Sequence, residues 1–251
     1  LQVALLQRSY HLSRAQKRKE RQPVPQQNNL IEIRHFQKKR QVSIIPRNLS
    51  QETYLELLQD PRKYIVFAIG PAGTGKTLIG VQQAIKAYQE KLVDKIVITR
   101  PAVSVDEEHG FLPGTLNEKM APWTRPIFDV FEEHYTVKEV EHLVSENILE
   151  ISPLAYMRGR TFKNAFIIAD EMQNATPSQM KMLLTRLGER SKMAVTGDLQ
   201  QADRPSSNGL LDFVEKYEQT QSRSVAVVRF TTKDIERHEA VKEILRIYGE
   251  V

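Results

Sequence analysis

Cysteine is absent from the 251 residues, which excludes disulfides, zinc–thiolate sites and thiol catalysis. No apolar stretch approaches the roughly 18 residues that a helix needs to span a bilayer. The opening residues, Leu1-Gln2-Val3-Ala4-Leu5-Leu6, are too short for the apolar region of a secretory leader with its cleavage site, and they start without Met. No internal repeat or low-complexity array is present. The expectation from these absences is a cytoplasmic protein with no membrane partner. The length allows one α/β domain with an appended tail, or at most two small domains.

Charge is unevenly spread. Residues 1–47 hold eleven Lys/Arg against Glu20 and Glu32, a net +9, whereas the remainder holds 25 basic and 29 acidic residues, a net −4. The reading is a basic N-terminal segment and linker, 1–47, ahead of a slightly acidic domain, 48–251. Clustered Lys/Arg such as Arg14-Ala15-Gln16-Lys17-Arg18-Lys19 release counterions from nucleic-acid phosphates. A solvated tail that aids solubility has the same composition, so both readings stand.

The stretch that organises the rest runs from Tyr64 to Thr77. An apolar run, Ile65 to Ile69, reads as a strand and ends in Gly70-Pro71-Ala72-Gly73-Thr74-Gly75-Lys76-Thr77. A helical pattern follows. The spacing matches G-x-x-x-x-G-K-[ST], whose glycines let successive backbone N–H groups curl around the phosphates of a nucleoside triphosphate. The helix start adds its own unpaired donors. Lys76 is then placed to reach the β- and γ-phosphates and Thr77 to bind Mg²⁺.

A second apolar run, Ala165 to Ala169, ends in Asp170-Glu171. A strand-final carboxylate about ninety residues after a phosphate loop suits a Mg²⁺ ligand, here Asp170, with Glu171 orienting or deprotonating an attacking water. A third strand, Lys192 to Thr196, leads into Gly197-Asp198-Leu199-Gln200-Gln201, where Thr196, Asp198 and Gln201 are each candidates to sense the γ-phosphate. Upstream, Asn48-x-x-Gln51 resembles the adenine-reading segment of superfamily 1 helicases. A glutamine amide can donate to and accept from adenine at once, although a plain surface glutamine fits the residues too. Arg158-Gly159-Arg160 reads either as a phosphate clamp or as an exposed turn. Pro122 to Pro126 is expected to separate two helical patterns. Thr231-x-x-Asp234 is expected to cap a last helix with Arg237 near its start, where an arginine can reach a γ-phosphate in its own subunit or a neighbour's.

From about residue 48 onward the chain resembles the PhoH-like ATPases. The resemblance is carried by GPAGTGKT at Gly70–Thr77, ITRP at Ile98–Pro101, GFLPG at Gly110–Gly114, YMRGRTF at Tyr156–Phe162, ADEMQN at Ala169–Asn174, TGDLQQAD at Thr196–Asp203 and VRF at Val228–Phe230. It implies a RecA-like P-loop NTPase core, a mostly parallel sheet flanked by helices, hydrolysing ATP with Mg²⁺. It also implies a homo-oligomer, a hexameric ring, and a relation to superfamily 1 helicases; that likeness and the +9 segment favour a nucleic-acid partner, RNA above DNA. By the same resemblance Gln201 corresponds to a γ-phosphate-sensing glutamine and Arg237 to an arginine finger. Some relatives carry a ribonuclease-like domain in front of the ATPase, and the expectation here is that this domain and its activity are lacking. An ATP-gated oligomeric adaptor without a nucleic-acid substrate is the alternative. A small-molecule kinase is disfavoured, because Asp170-Glu171 suits water attack.

Overall fold

The computed structural model describes residues 41–101, 116–202, 208–220 and 222–248. They belong to the second of two units, Lys38–Val251; the first is Leu1–Gln37. Residues 1–40 of the basic segment and the Gly110–Gly114 motif lie outside the described residues.

Six strands form one parallel sheet: β1 (Ile65–Ile69), β2 (Lys95–Arg100), β3 (Leu149–Pro153), β4 (Ala165–Ala169), β5 (Lys192–Gly197) and β6 (Val225–Arg229). The helices are α1 (Leu49–Gln59), α2 (Lys76–Gln89), α3 (Leu116–Glu132), α4 (Val137–Ser145), α5 (Pro177–Leu184), α6 (Gly209–Glu218) and α7 (Glu239–Tyr248). The strand order is β3-β2-β4-β5-β1-β6. The strand that follows β1 in the chain is therefore not its neighbour in the sheet. β4 and β5 are inserted between β1 and β2, and this brings their C-terminal ends beside the turn that follows β1. Ligands of open parallel sheets bind at such carboxyl ends, where the strand order reverses.

The strands read as near-continuous apolar runs because both faces are covered. Side chains alternate between two cores. Val66, Ala68, Ile96, Ile98, Phe166, Ile168 and Ala194 pack into one. Phe67, Ile69, Val97, Ile167, Ala169, Met193 and Val195 pack into the other. The first core takes α1 to α4 and the second takes α5 and α6. Phe67 stacks on Phe213 of α6 with centroids 4.3 Å apart. Each fully buried Val, Ile or Phe of this kind contributes about 1.5–3 kcal/mol. Val42 is also buried, and its N–H donates to Gln89. No helix among the described residues is long and apolar enough to cross a membrane.

Two expectations from the pattern need correction. Pro122 and Pro126 do not separate two helices; α3 runs through both. Each proline removes a helical hydrogen bond, but Ile127 and Phe131, one turn apart, are buried against the first core. That burial favours continuing the helix, while the Arg125–Asp129 ion pair at 2.8 Å is exposed and adds little. Thr231 and Asp234 close a capping box on a short 3₁₀ turn, Thr232–Asp234, not on the last helix. α7 starts at Glu239, so Arg237 and His238 precede it. The His238 ring nitrogen Nδ1 accepts from the Ala240 N–H.

Candidate functional site

The turn after β1 is shaped by its glycines. Gly70 has φ 149°, and a Cβ there would collide with the Phe230 carbonyl oxygen. The chain after β6 runs that close because Phe230 N–H donates to Ile69 O at 2.7 Å. Gly75 ends the turn in the left-handed region and no side chain caps α2. The first N–H groups of α2 thus face the turn without a capping oxygen, the arrangement that favours an anion.

Lys76 is buried at 8% exposure. Its ammonium donates to Gly70 O and Pro71 O at 2.7 Å and to Thr74 Oγ1 at 3.1 Å. Burial lowers its pKa, opposed by the carboxylates of Asp198, Glu171 and Asp170. Thr74, fully buried, donates in turn to Pro71 O at 3.0 Å.

Asp170, at the end of β4, is the meeting point of three elements. Its Oδ1 accepts from Thr77 Oγ1 of α2 at 2.7 Å and from Thr196 Oγ1 of β5 at 2.5 Å. Its own N–H is fixed by Thr99 O of β2 at 2.9 Å. Glu171 follows with φ 53°, a backbone conformation that a non-glycine residue adopts against strain. The twist turns its carboxylate into the cleft, where Gln173 Nε2 donates to Glu171 Oε2 at 2.5 Å. The other end of that amide accepts from Asp198 N–H at 3.1 Å. Gln173 thus ties the end of β4 to the end of β5. Sequence reasoning did not assign it a role. Its place three residues after Asp170 was the available signal, but the pairing with Asp198 depends on the strand order.

A cleft of about 200 Å³ lies between these elements, lined by Gly73, Lys76, Thr77, Glu171, Asp198 and Gln201 among others. Ala72 and Gly75 line it too, whereas Gly70, Pro71 and Thr74 do not. Asp170 is 6% exposed and reaches the cleft through Thr77 and Thr196.

Four other expected residues are not among those that line the cleft. The Gln51 amide is buried behind the turn: Nε2 donates to Thr74 O at 3.1 Å and Oε1 accepts from Arg47 N–H at 2.9 Å. This geometry makes it a support of the loop's backbone, with both ends of the amide engaged, rather than a free bidentate reader of a base. Arg237 lies across Gly73, with its Nε 2.5 Å from where a Cβ would stand. Arg160 is not at the cleft and is not a free turn arginine. Its guanidinium makes a two-point bond with Glu150 of β3 at the sheet's edge and packs 4.6 Å over the Phe162 ring. Arg158 is exposed.

The site can therefore receive a phosphate chain and a small hard cation. Among the described residues no group of three or more His, Cys, Asp or Glu could hold a metal.

Comparison with known proteins agrees with this geometry. The large terminase of a thermophilic bacteriophage superposes with TM-score 0.50 at 10% identity, over 81% of this chain and 51% of that one, a likeness of fold alone. The PhoH-like protein of Mycobacterium tuberculosis (strain ATCC 25618 / H37Rv) is 44% identical over 209 residues, 82% of this chain and 58% of that protein. Protein PhoH of Escherichia coli (strain K12) is 42% identical over 210 residues, again 82% of this chain and 58% of the relative. The chain thus spans somewhat more than half the length of these relatives. The PhoH-like protein family profile matches residues 43–249. With that match and a P-loop NTPase site at the carboxyl ends of β1, β4 and β5, the chain belongs to the PhoH-like protein family.

Proposed function

We propose that the protein is a Mg²⁺-dependent ATPase that binds or remodels nucleic acid, with RNA the favoured class. The observation that carries the ATPase half is Asp170, which accepts from Thr77 and Thr196 beside the buried Lys76. Bound Mg²⁺ would neutralise negative charge that develops on the phosphates. Thr77 and Asp170 are the residues to hold it. Lys76 and the first N–H groups of α2 bind the phosphates. Glu171, held by Gln173, orients a water or takes its proton. Gln201 lines the same cleft, which supports a role for it in sensing the terminal phosphate.

The nucleic-acid half rests on the +9 charge of residues 1–47. A cytoplasmic homo-oligomer, six-membered by family likeness, is part of this proposal. Measuring ATP turnover alone, with RNA and with DNA tests both halves. Mg²⁺-dependent turnover stimulated by RNA is expected, and Lys76→Ala should abolish it with the melting temperature kept. Turnover unchanged in Lys76→Ala would defeat the ATPase reading.

One observation favours the second reading, an ATP-gated adaptor. α7 exposes Ile247 at 76% and Tyr248 at 77%, an apolar surface suited to a protein partner. Nucleotide-dependent assembly without RNA stimulation would support the adaptor.

A further inference from the structure

Two stretches remote in sequence hold the phosphate loop from outside. α1 sends Gln51 to Thr74 O. The segment after β6 sends Glu236 N–H to Gly73 O at 2.9 Å and lays the Arg237 side chain across Gly73, leaving no room for a Cβ. One residue joins the two stretches. Asn48 Oδ1 caps α1 by accepting from Gln51 N–H at 2.9 Å. Its Nδ2 donates to Asp234 O and to Glu236 Oε1, both at 3.3 Å. The Asn48 amide is thus fully engaged, half in the helix and half in the segment that carries Arg237.

Arg237 differs from the other arginine of interest. Arg160 is paired with Glu150. Among the described residues Arg237 has no ion-pair partner, although it lies against a residue that lines the cleft. The Arg237 side chain is exposed, lies against Gly73 and does not spend its charge on a carboxylate, so its guanidinium is available to phosphate oxygens.

We propose that Asn48 and Glu236 form a latch that holds Arg237 over the phosphate loop of its own chain, where it contacts the terminal phosphate of a bound nucleoside triphosphate. The inference rests on the nucleotide reading above. Asn48 and Glu236 are positioning residues, and Arg237 is the contacting group. The site then needs no arginine from a neighbouring subunit.

The test compares binding of a fluorescent ADP with that of a fluorescent, non-hydrolysable ATP analogue, and turnover as kcat and KM. Arg237→Ala should weaken the triphosphate about 10-fold or more, the worth of a hydrogen bond to a charged group, and leave the diphosphate near wild type. Asn48→Asp keeps an oxygen to cap α1 but removes both donors and sets a negative charge against Glu236. It should therefore lose much of the same triphosphate preference, and kcat, at a wild-type melting temperature. Adding Glu236→Gln to Asn48→Asp restores a donor–acceptor pair in the opposite sense and should recover both. A wild-type preference in Arg237→Ala would overturn the contact, and a wild-type preference in Asn48→Asp would overturn the latch. Mixing Arg237→Ala protein with Lys76→Ala protein should give no turnover above the sum of the two. A gain on mixing would mean that a neighbour supplies the arginine, against the proposal. Failure of wild-type protein to bind either nucleotide is a separate result, which removes the nucleotide reading itself.

Discussion

Asp170, just after β4, and Glu150, near the start of β3, belong to one sheet and meet their neighbours differently. Asp170 takes hydrogen bonds from two hydroxyls, while the nearby ammonium of Lys76 is held by backbone carbonyls. Glu150 is met by two cations, Arg160 and Lys95, the latter at 2.6 Å. Hydrogen bonds from Arg160, then Lys95, hold the Glu150 carboxyl down at about 2 against the opposing effect of burial. The first arrangement leaves charge of both signs for a ligand to complete. The second is neutralised within the chain. A basic residue near a strand end thus becomes a phosphate group's partner only where no carboxylate of the chain has already claimed it.

The largest test of this contrast is functional. Asp170→Ala should lower ATP turnover about 10²–10³-fold, the scale of a lost electrostatic contact to the transition state, whereas Arg160→Ala should leave it unchanged. Equal losses in one assay would erase the distinction. A smaller effect is expected from Gly70→Ala, which drives a Cβ into the Phe230 carbonyl. It should destabilise the fold by about 1–3 kcal/mol, read as a lower urea midpoint, and weaken nucleotide binding as well. A variant that binds normally would show that the loop tolerates the displacement.

The smallest effect is at the β3 edge and depends on pH. The Glu150 carboxyl has a folded pKa of about 2, below its ordinary 4.5. Its contribution to stability is therefore present above about pH 4.5 and lost as pH falls toward about 2. Glu150→Gln should lower the urea midpoint at neutral pH and converge with wild type as pH falls toward about 2, which flattens the acid side of the profile. An unchanged acid slope would mean that the pair with Arg160 does not persist in solution.

Much of the fold was readable in the residues. The strands β1, β4 and β5 were visible because each is an apolar run bounded by turn residues. The capping box of Thr176 and Gln179 at the start of α5 has the same local origin. Errors arose where distant packing overruled a local signal. Pro122 and Pro126 are helix breakers in isolation, yet α3 continues because Ile127 and Phe131 meet the core. Thr231 and Asp234 make a genuine cap, but over a turn that stops after Asp234. Arg160 sits in a motif that suggests phosphate, and its partner Glu150 lies on a strand whose register no spacing reveals.

Residues close together in the chain carried the phosphate loop: the glycines, Lys76 and Thr77 act through one turn and one helix start, whose geometry is local. The meeting of Thr77, Asp170 and Thr196 at one carboxylate oxygen has another origin. It follows from β4 and β5 entering the sheet between β1 and β2. The same holds for Gln173 reaching Asp198, for Gln51 turning inward to Thr74, and for Asn48 tying α1 to the segment that lays Arg237 on Gly73. Those contacts join residues tens to nearly two hundred positions apart. Strand order and helix packing bring such residues together, and neither is written in any single stretch of chain.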